Sequence, residues 1–286
     1  MTKTLRSSLF VLVAVLFAGC RGKVDSDRVA WMTMGTVAAV QTKGDPDGVA
    51  TGKMLAQTMA TFKDVETLLN AHKPDSEISR LAPLPDEQVL RLCDKETRPC
   101  YEAAFALCKS TDSAFNPRWR GEHSLDLGAI AKGFAVDRAC AAIVEAPAGV
   151  SCLVDLGGNV KSVRGSWRTG VKNPSGDGFA AVVDLQAGEA LATSATYFRG
   201  SHIYDGRTNG PVENNVASVT VLCRSAMWAD GLSTALFVFG IEDGRRFLEE
   251  RLHLPDEVGD VAALWILKNG RKAFYPASAA NRFSSL

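Results

Sequence analysis

The sequence has no excess of charge of either sign and few histidines. It contains 32 Lys and Arg against 32 Asp and Glu, with no basic block, which argues against nucleic acid as a partner. Its four histidines are scattered and no Cys-x-x-Cys pair occurs, which argues against a zinc cluster. Repeats and low-complexity tracts are also lacking, so repeat architectures are excluded.

Long apolar runs are missing as well. The longest near the N-terminus, LFVLVAVLFA at 9–18, falls short of the roughly 20 residues that span a bilayer. It follows Lys3 and Arg6 and ends in Ala18-Gly19-Cys20, which resembles a bacterial lipobox. We therefore predict a lipoprotein signal over 1–19 with lipidation at Cys20, and a plain secretory signal stays open. Residues 20–28 are then a tether and 29–286 the domain, in the cell envelope facing the periplasm.

Export would expose the remaining cysteines to an oxidising compartment. Cys93 and Cys100 flank the polar loop DKETRP, and we predict that this pair is bonded. Buried free thiols are the alternative.

Helices and strands are mixed along the chain. Apolar spacing predicts a helix over 48–71, and the proline at its start predicts a second over 99–112. Further helices are predicted over 224–240, ended by Gly240, and over 242–252, and Ser76 is a possible helix cap. Strands are predicted over 29–42 with a break at Gly35, over 151–156 and over 216–223, and a hairpin turn at Asn269-Gly270. The pattern predicts an α+β fold.

The segment SLDLGAIAKGFAVDRA, 124–139, predicts a strand ending at Asp126, a turn at Gly128 and then a helix. The start of a helix favours an anion, and Lys132 adds a positive charge there, which suggests a phosphate or carboxylate nearby. The alternatives are a solvent-facing Lys132 and an Asp126 that only caps the helix.

Two further segments carry polar side chains with possible chemical roles. Asp230 and Thr234 are one helical turn apart in WADGLSTALFVFG, where an acid and a hydroxyl could hold Mg²⁺. His202, in SHIYDGRTNG, follows the hydroxyls of ATSATYFRG and could act as a general base. A packed helix face and a hydrogen-bonded structural histidine are the corresponding alternatives.

The motifs taken in order resemble those of the FAD:protein FMN transferase family, also called ApbE-type flavin transferases. They are MGT, PDSEISRL, AFNP, DLGAIAKGFAVD, LVDLGGNV, TSATYFRG, HIYDGRTNG and ADGLSTALFVFG, over about 34–240. DLGAIAKG and ADGLSTAL are the specific ones. The resemblance implies mixed sheets flanked by helices, related to the T-fold, with the flavin site between the two halves.

The resemblance also assigns residues by position. It implies His202 as the catalytic base, with Ile203 or Tyr204 against the flavin. The other implied FAD-binding residues are Met34, His72, Ala114, Phe115, Asn116, Asp126 and Lys132. The implied Mg²⁺ ligands are the Ala129 carbonyl, Asp230, Thr234 and, in some members, the residue at Ser233.

This chain departs from the family pattern in four places. His72 replaces a usual tyrosine and Asn116 a usual aspartate, and DGRTNG lacks a usual proline. Between AFNP and DLG, where the family has a long insert, only RWRGEHSL remains.

The expected activity is Mg²⁺-dependent transfer of FMN from FAD to a Thr or Ser hydroxyl of a periplasm-facing acceptor protein, with release of AMP. Hydrolysis of FAD to FMN and AMP, or flavin binding without catalysis, are the alternatives. The lipid anchor would hold the protein at the membrane.

Overall fold

A computed structural model describes residues 26–143, 149–196, 203–250 and 252–284. The predicted signal, Cys20 and His202 lie outside the described residues. The described helices are α1 Val49–Leu69, α2 Glu77–Leu81, α3 Asp86–Leu92, α4 Arg98–Ser110, α5 Ala131–Ala142 and α6 Ala226–Glu250. The described strands are β1 Ser26–Thr33, β2 Thr36–Lys43, β3 Ser151–Leu156, β4 Asn159–Arg164, β5 Trp167–Lys172, β6 Phe179–Leu185, β7 Ala190–Ala195, β8 Tyr204–Asp205, β9 Gly210–Pro211, β10 Val216–Cys223, β11 Ala262–Leu267 and β12 Lys272–Tyr275.

One antiparallel sheet of eight strands organises the described chain. Its order is β1-β2-β3-β4-β7-β10-β11-β12, while β5–β6 and β8–β9 form separate two-stranded ribbons. Two pairs of neighbouring strands are not consecutive in sequence. β4 pairs with β7, because the β5–β6 ribbon between them folds away from the sheet, and β7 pairs with β10. Strands from both halves of the chain are thereby joined through β7.

Both faces of the sheet are covered in its centre. The main core lies between the sheet and the helices, with α5 and α6 against it. A smaller core on the other face joins Val171 and Val183 of the β5–β6 ribbon to Leu222 and Leu264 of the sheet. For this reason every residue of β10 is buried, although an antiparallel strand with one solvated face would alternate. The predicted α+β class is confirmed.

Most elements follow the predicted pattern. α1 and α4 occupy the predicted positions, and the Ser76 side chain accepts a hydrogen bond from the Ser79 N–H at the start of α2. α6 is interrupted at Gly240, whose φ of 75° is not helical, so the predicted helix end there is confirmed. The predicted strand over 29–42 is a hairpin, because Met34 and Gly35 both have positive φ and reverse the chain.

Two predictions from the sequence are wrong. The segment directly before α5 is not a strand: residues 124–127 pair with no described strand, and Leu125 and Leu127 are instead buried in the main core. Cys93 and Cys100 are not bonded to each other; the six described cysteines are free thiols. Both residues are buried in the apolar core, so they behave as small hydrophobic side chains.

Within the described ranges, no helix is long and apolar enough to cross a bilayer.

Candidate functional site

The candidate site is built where α5 crosses α6. A Cβ atom on Gly133 would lie 2.1 Å from the Ala226 carbonyl oxygen and 2.8 Å from Met227 Cα. Only glycine permits so close an approach of the two backbones. The start of α5 therefore faces the first turns of α6, and residues that are about 98 positions apart in sequence come into contact.

Asp230 is the buried acid at this crossing. It is 5 % exposed, and its Oδ2 accepts a hydrogen bond from the Gly133 N–H at 3.0 Å. A carboxylate of the protein itself therefore lies at the start of α5. Burial raises the pKa of Asp230 above its ordinary value, and Lys132, the Gly133 N–H and the Asn159 side chain partly oppose the shift.

Lys132 provides the positive charge next to this acid. Its Nζ lies 3.3 Å and 3.5 Å from the two carboxylate oxygens of Asp230, and it donates to the Gly128 carbonyl oxygen at 3.0 Å. The alternative of a lysine that only faces solvent is therefore wrong. One ammonium group connects the two motifs that the sequence singled out, DLGAIAKG and ADGLSTAL.

Hydroxyl groups lie next to Asp230 in the structure. Ser194 Oγ, at the end of β7, is 2.8 Å from Ser233 Oγ and 3.0 Å from Thr234 Oγ1. Ser233 is fully buried, and its hydroxyl donates to the Asp230 carbonyl oxygen at 2.9 Å. Thr234 is partly exposed, so of the two predicted ligands its hydroxyl is the more accessible.

The donor atoms of this site fit a hard cation. They are oxygens from the Asp230 carboxylate, the neighbouring hydroxyls and the Gly128 carbonyl just before α5, which are the ligand types that Mg²⁺ takes. Asn159 adds an observation of its own, since its Oδ1 is buried without a hydrogen-bond partner among the described atoms. Across the described ranges there is no group of three or more His, Cys, Asp or Glu side chains that could hold a metal. A metal here would depend on Asp230 and neutral oxygens.

A second set of predicted residues lies together at the 113–120 loop. The Gly206 N–H donates to the Ala114 carbonyl oxygen at 3.2 Å, and a Cβ on Gly206 would lie 2.2 Å from Asn116 Cβ. Ala114 and Phe115 are almost fully buried, and so is Ile203 in the neighbouring segment. The loop thus supports the segment that follows His202 in sequence.

Aromatic stacking strengthens this contact. The rings of Trp119 and Tyr204 are 4.4 Å apart and nearly parallel, and the Arg120 guanidinium lies 4.5 Å from the Trp119 ring. Arg120 also reaches Asp126, at 3.7 Å, whose Oδ1 accepts from the Gly128 N–H at 2.9 Å. Asp126 therefore closes a turn before α5 and connects the two sets of predicted residues; it does not cap the helix.

The remaining predicted residues lie apart from these contacts. Met34 is in the β1–β2 turn with φ 47° and packs against the main core. His72 is exposed just after α1, where its N–H donates to Asn70 Oδ1. No described hydrogen bond or ring contact joins either side chain to Lys132 or Asp230. His202 and Cys20 lie outside the described residues.

Two organising residues were missed in the sequence. Asp137 of α5 accepts hydrogen bonds from the Ala226 and Met227 N–H groups and thus anchors the start of α6. Arg118 donates hydrogen bonds to the Asp86 carboxylate and to the backbone carbonyl oxygens of Leu84 and Ser124. It therefore joins the segment before α3 to the segment before α5. An acid four residues after Gly133 and an arginine next to a proline are common features, so neither carried a distinctive local signal.

A cavity of about 780 Å³ lies elsewhere in the molecule. Its lining includes Arg224, Tyr275 and Arg282, and none of the predicted site residues.

Comparison with known proteins agrees with this arrangement. A sequence model of the ApbE family matches residues 118–256, somewhat less than half of the chain. That range contains the α5 and α6 residues that meet at Asp230. The chain is similar to ApbE proteins over this range.

Curated ApbE relatives carry the name FAD:protein FMN transferase. The one from Klebsiella pneumoniae is 34 % identical over 57 % of this chain and 51 % of its own length, so that match spans about half of the relative. The one from Vibrio cholerae is 27 % identical over 86 % of this chain and 91 % of its own length.

Solved ApbE structures share the fold. The flavin transferase ApbE from Vibrio cholerae has a TM-score of 0.71 at 22 % identity and covers 90 % of this chain and 99 % of its own. The apo flavinyl transferase ApbE from Pseudomonas stutzeri has a TM-score of 0.70 at 22 % identity, over 91 % and 98 % of the two chains. The mixed α+β architecture is therefore that of ApbE proteins.

Proposed function

We propose that this protein transfers FMN from FAD to a Thr or Ser hydroxyl of an acceptor protein and releases AMP. The names of the curated relatives support flavin transfer in general. The acceptor, the metal requirement and the released nucleotide are parts of the proposal.

The observation that carries the proposal is the junction of α5 and α6. A buried carboxylate, an ammonium group and the Gly128 carbonyl oxygen converge there from two motifs that are far apart in sequence. Phosphoryl transfer depends mostly on positioning and on stabilising charge, and this junction offers both signs of charge at one place.

In the proposed reaction, the acceptor hydroxyl oxygen forms a bond to the phosphorus nearest riboflavin. The bond from that phosphorus to the bridging oxygen breaks, and the bridging oxygen leaves with AMP. The proton of the hydroxyl passes to the His202 side chain, which the resemblance implies as the base. The Lys132 ammonium and the turn at Gly128 would hold the diphosphate.

We propose Asp230, Thr234 and the Ala129 carbonyl as the Mg²⁺ ligands, with Ser233 and Ser194 orienting the Thr234 hydroxyl through the cluster described above. When bound, Mg²⁺ would neutralise charge on the diphosphate and so favour departure of AMP.

The test is incubation of the purified protein with FAD, MgCl₂ and an acceptor that carries a D-x-x-T/S target motif. In-gel flavin fluorescence measures FMN on the acceptor, and chromatography measures free FMN and AMP. We expect a fluorescent acceptor and one AMP per FMN transferred. Asp230→Ala should lower AMP release by at least about 10³-fold, the scale of losing a main electrostatic contribution.

Asp184→Ala is the matched control, because Asp184 is an exposed acid on β6 away from α5 and α6. If free FMN and AMP form but the acceptor is not labelled, transfer is refuted and the activity is hydrolysis of FAD. If FAD stays intact and bound to the protein, both activities are refuted and the protein binds flavin without catalysis. Unchanged turnover in Asp230→Ala would refute the metal assignment.

The place of action is a further part of the proposal. We infer lipidation at Cys20 and a position on the periplasmic side of a bacterial membrane from the sequence pattern at 1–20. Metabolic labelling with a radioactive fatty acid tests it: the wild-type chain should be labelled, and Cys20→Ala should not.

A further inference from the structure

The ion pair between Lys132 and Asp230 has a consequence for how metal and nucleotide would bind. The carboxylate is largely buried, with a side chain 8 % exposed, whereas the lysine side chain is 28 % exposed. A buried carboxylate is stable only with a nearby positive charge or several donors. Lys132 and the Gly133 N–H supply these in the structure.

The Lys132 ammonium uses the same kinds of oxygen that the proposed metal site offers. It contacts both carboxylate oxygens of Asp230 and the carbonyl oxygen of Gly128, the residue before Ala129. A divalent ion on Asp230 would therefore lie next to an ammonium group. Two cations that share one carboxylate repel each other, and the repulsion is strong where water is excluded.

Because the Lys132 side chain is partly exposed, its ammonium group can move away from a metal on Asp230. A lysine has four rotatable carbon–carbon bonds along its stem and can move its charge several ångströms without backbone change. A diphosphate at the start of α5 would accept the ammonium group, because the helix start and Lys132 both favour an anion there.

We propose that Lys132 is an internal counter-ion of Asp230 that competes with the divalent metal until a diphosphate binds and takes over the ammonium group. This inference rests on the metal site of the proposed function. It goes further by making metal and diphosphate binding depend on each other. Because coupling is reciprocal, each ligand should raise the affinity for the other by the same factor.

The chain provides a matched comparison. Lys161 of β4 also pairs with a partly buried acid of α5, with its Nζ 2.7 Å from Asp137 Oδ1. Its ammonium also donates to the carbonyl oxygen of Arg224, just before α6, at 2.8 Å. Lys161 does not contact the proposed metal ligands. Lys161→Met therefore removes a similar ion pair without touching the site.

The experiment measures Mn²⁺ binding to the purified full-length protein by calorimetry and by the electron paramagnetic resonance signal of free Mn²⁺. Each variant is titrated alone, with ADP as a diphosphate nucleotide, and with AMP, which lacks the diphosphate. In the wild type we expect ADP, but not AMP, to tighten Mn²⁺ binding about tenfold, within the usual range of coupling between sites.

Lys132→Met should bind Mn²⁺ about tenfold more tightly than the wild type without nucleotide, and ADP should then add about threefold at most. Lys161→Met should behave as the wild type does. Circular dichroism and the unfolding midpoint check that each variant is folded, and Lys132→Gln serves if the methionine variant is not.

Two results would overturn the inference in different ways. If Mn²⁺ binds through Asp230, as shown by its loss in Asp230→Ala, but Lys132→Met and Lys132→Gln bind it no more tightly than the wild type, the competition is refuted and the metal site stands. If wild-type protein does not bind Mn²⁺ even with ADP, both the inference and the metal assignment fail.

Discussion

Asp137 should be a main determinant of how α6, and with it Asp230, is positioned. Its carboxylate accepts hydrogen bonds from Ser225 Oγ at 2.7 Å and from the Ala226 and Met227 N–H groups at 3.0 and 2.9 Å. Lys161 Nζ lies 2.7 Å from the same carboxylate. Asp137→Ala would leave three donors at the start of α6 without their acceptor.

The magnitude follows from these contacts. A buried donor that loses its acceptor costs about 1–3 kcal/mol of unfolding free energy. Three such donors, if fully buried, would therefore cost about 3 kcal/mol or more. The Asp137 side chain is 22 % exposed, so water replaces part of what is lost. We expect Asp137→Ala to lower the free energy of unfolding by about 3 kcal/mol, or the melting temperature by about 6–9 °C.

Chemical denaturation followed by circular dichroism measures the change. Asp137→Asn keeps one acceptor oxygen and should lose about half as much. A double-mutant cycle with Lys161→Met should give a coupling energy of about 1 kcal/mol, since the pair is partly buried. Asp184→Ala should stay within about 0.5 kcal/mol of the wild type. A loss below about 0.5 kcal/mol in Asp137→Ala would refute the anchoring role.

Three further predictions address other parts of the molecule. Gly133→Ala should cost about 3 kcal/mol of unfolding free energy, because its Cβ would overlap the backbone at Ala226. The control Gly52→Ala, which has open space in α1, should gain about 0.5–1 kcal/mol. Equal effects of the two substitutions would refute the close approach of the helices. Arg118→Lys loses a fork that binds one carboxylate and four backbone carbonyls, so limited trypsin digestion within 117–124 should accelerate, and unchanged cleavage would contradict its role. Burial raises the pKa of Cys152 to about 12, so its thiol should resist disulfide reagents at pH 8 until the protein unfolds. Because the folded pKa lies above the ordinary value, the stabilisation is complete below about pH 9 and is lost as pH rises toward 12; stability that is flat over this range in the wild type, relative to Cys152→Ala, would contradict it.

The sequence by itself determined the local elements. The spacing of apolar residues predicted α1, because a helix buries one face at its own period. The proline at its start indicated α4, and the apolar run stopped by Gly157-Gly158 indicated β3. The helix end at Gly240 and the hairpin turn at Gly270 followed from residues that adopt positive φ. The order of motifs was enough to indicate the family.

Contacts between distant segments were decided only by the tertiary structure. The sequence of 124–127 alternates like a strand, but Leu125 and Leu127 are buried in the core without strand pairing. The pairing of Lys132 with Asp230 depends on how closely α5 crosses α6. Gly133 allows the close approach, and Asp137 fixes it by accepting a hydrogen bond from the backbone at the start of α6. Periodicity reports which face of an element is buried, but the partner that covers that face is chosen by the packing of the whole chain.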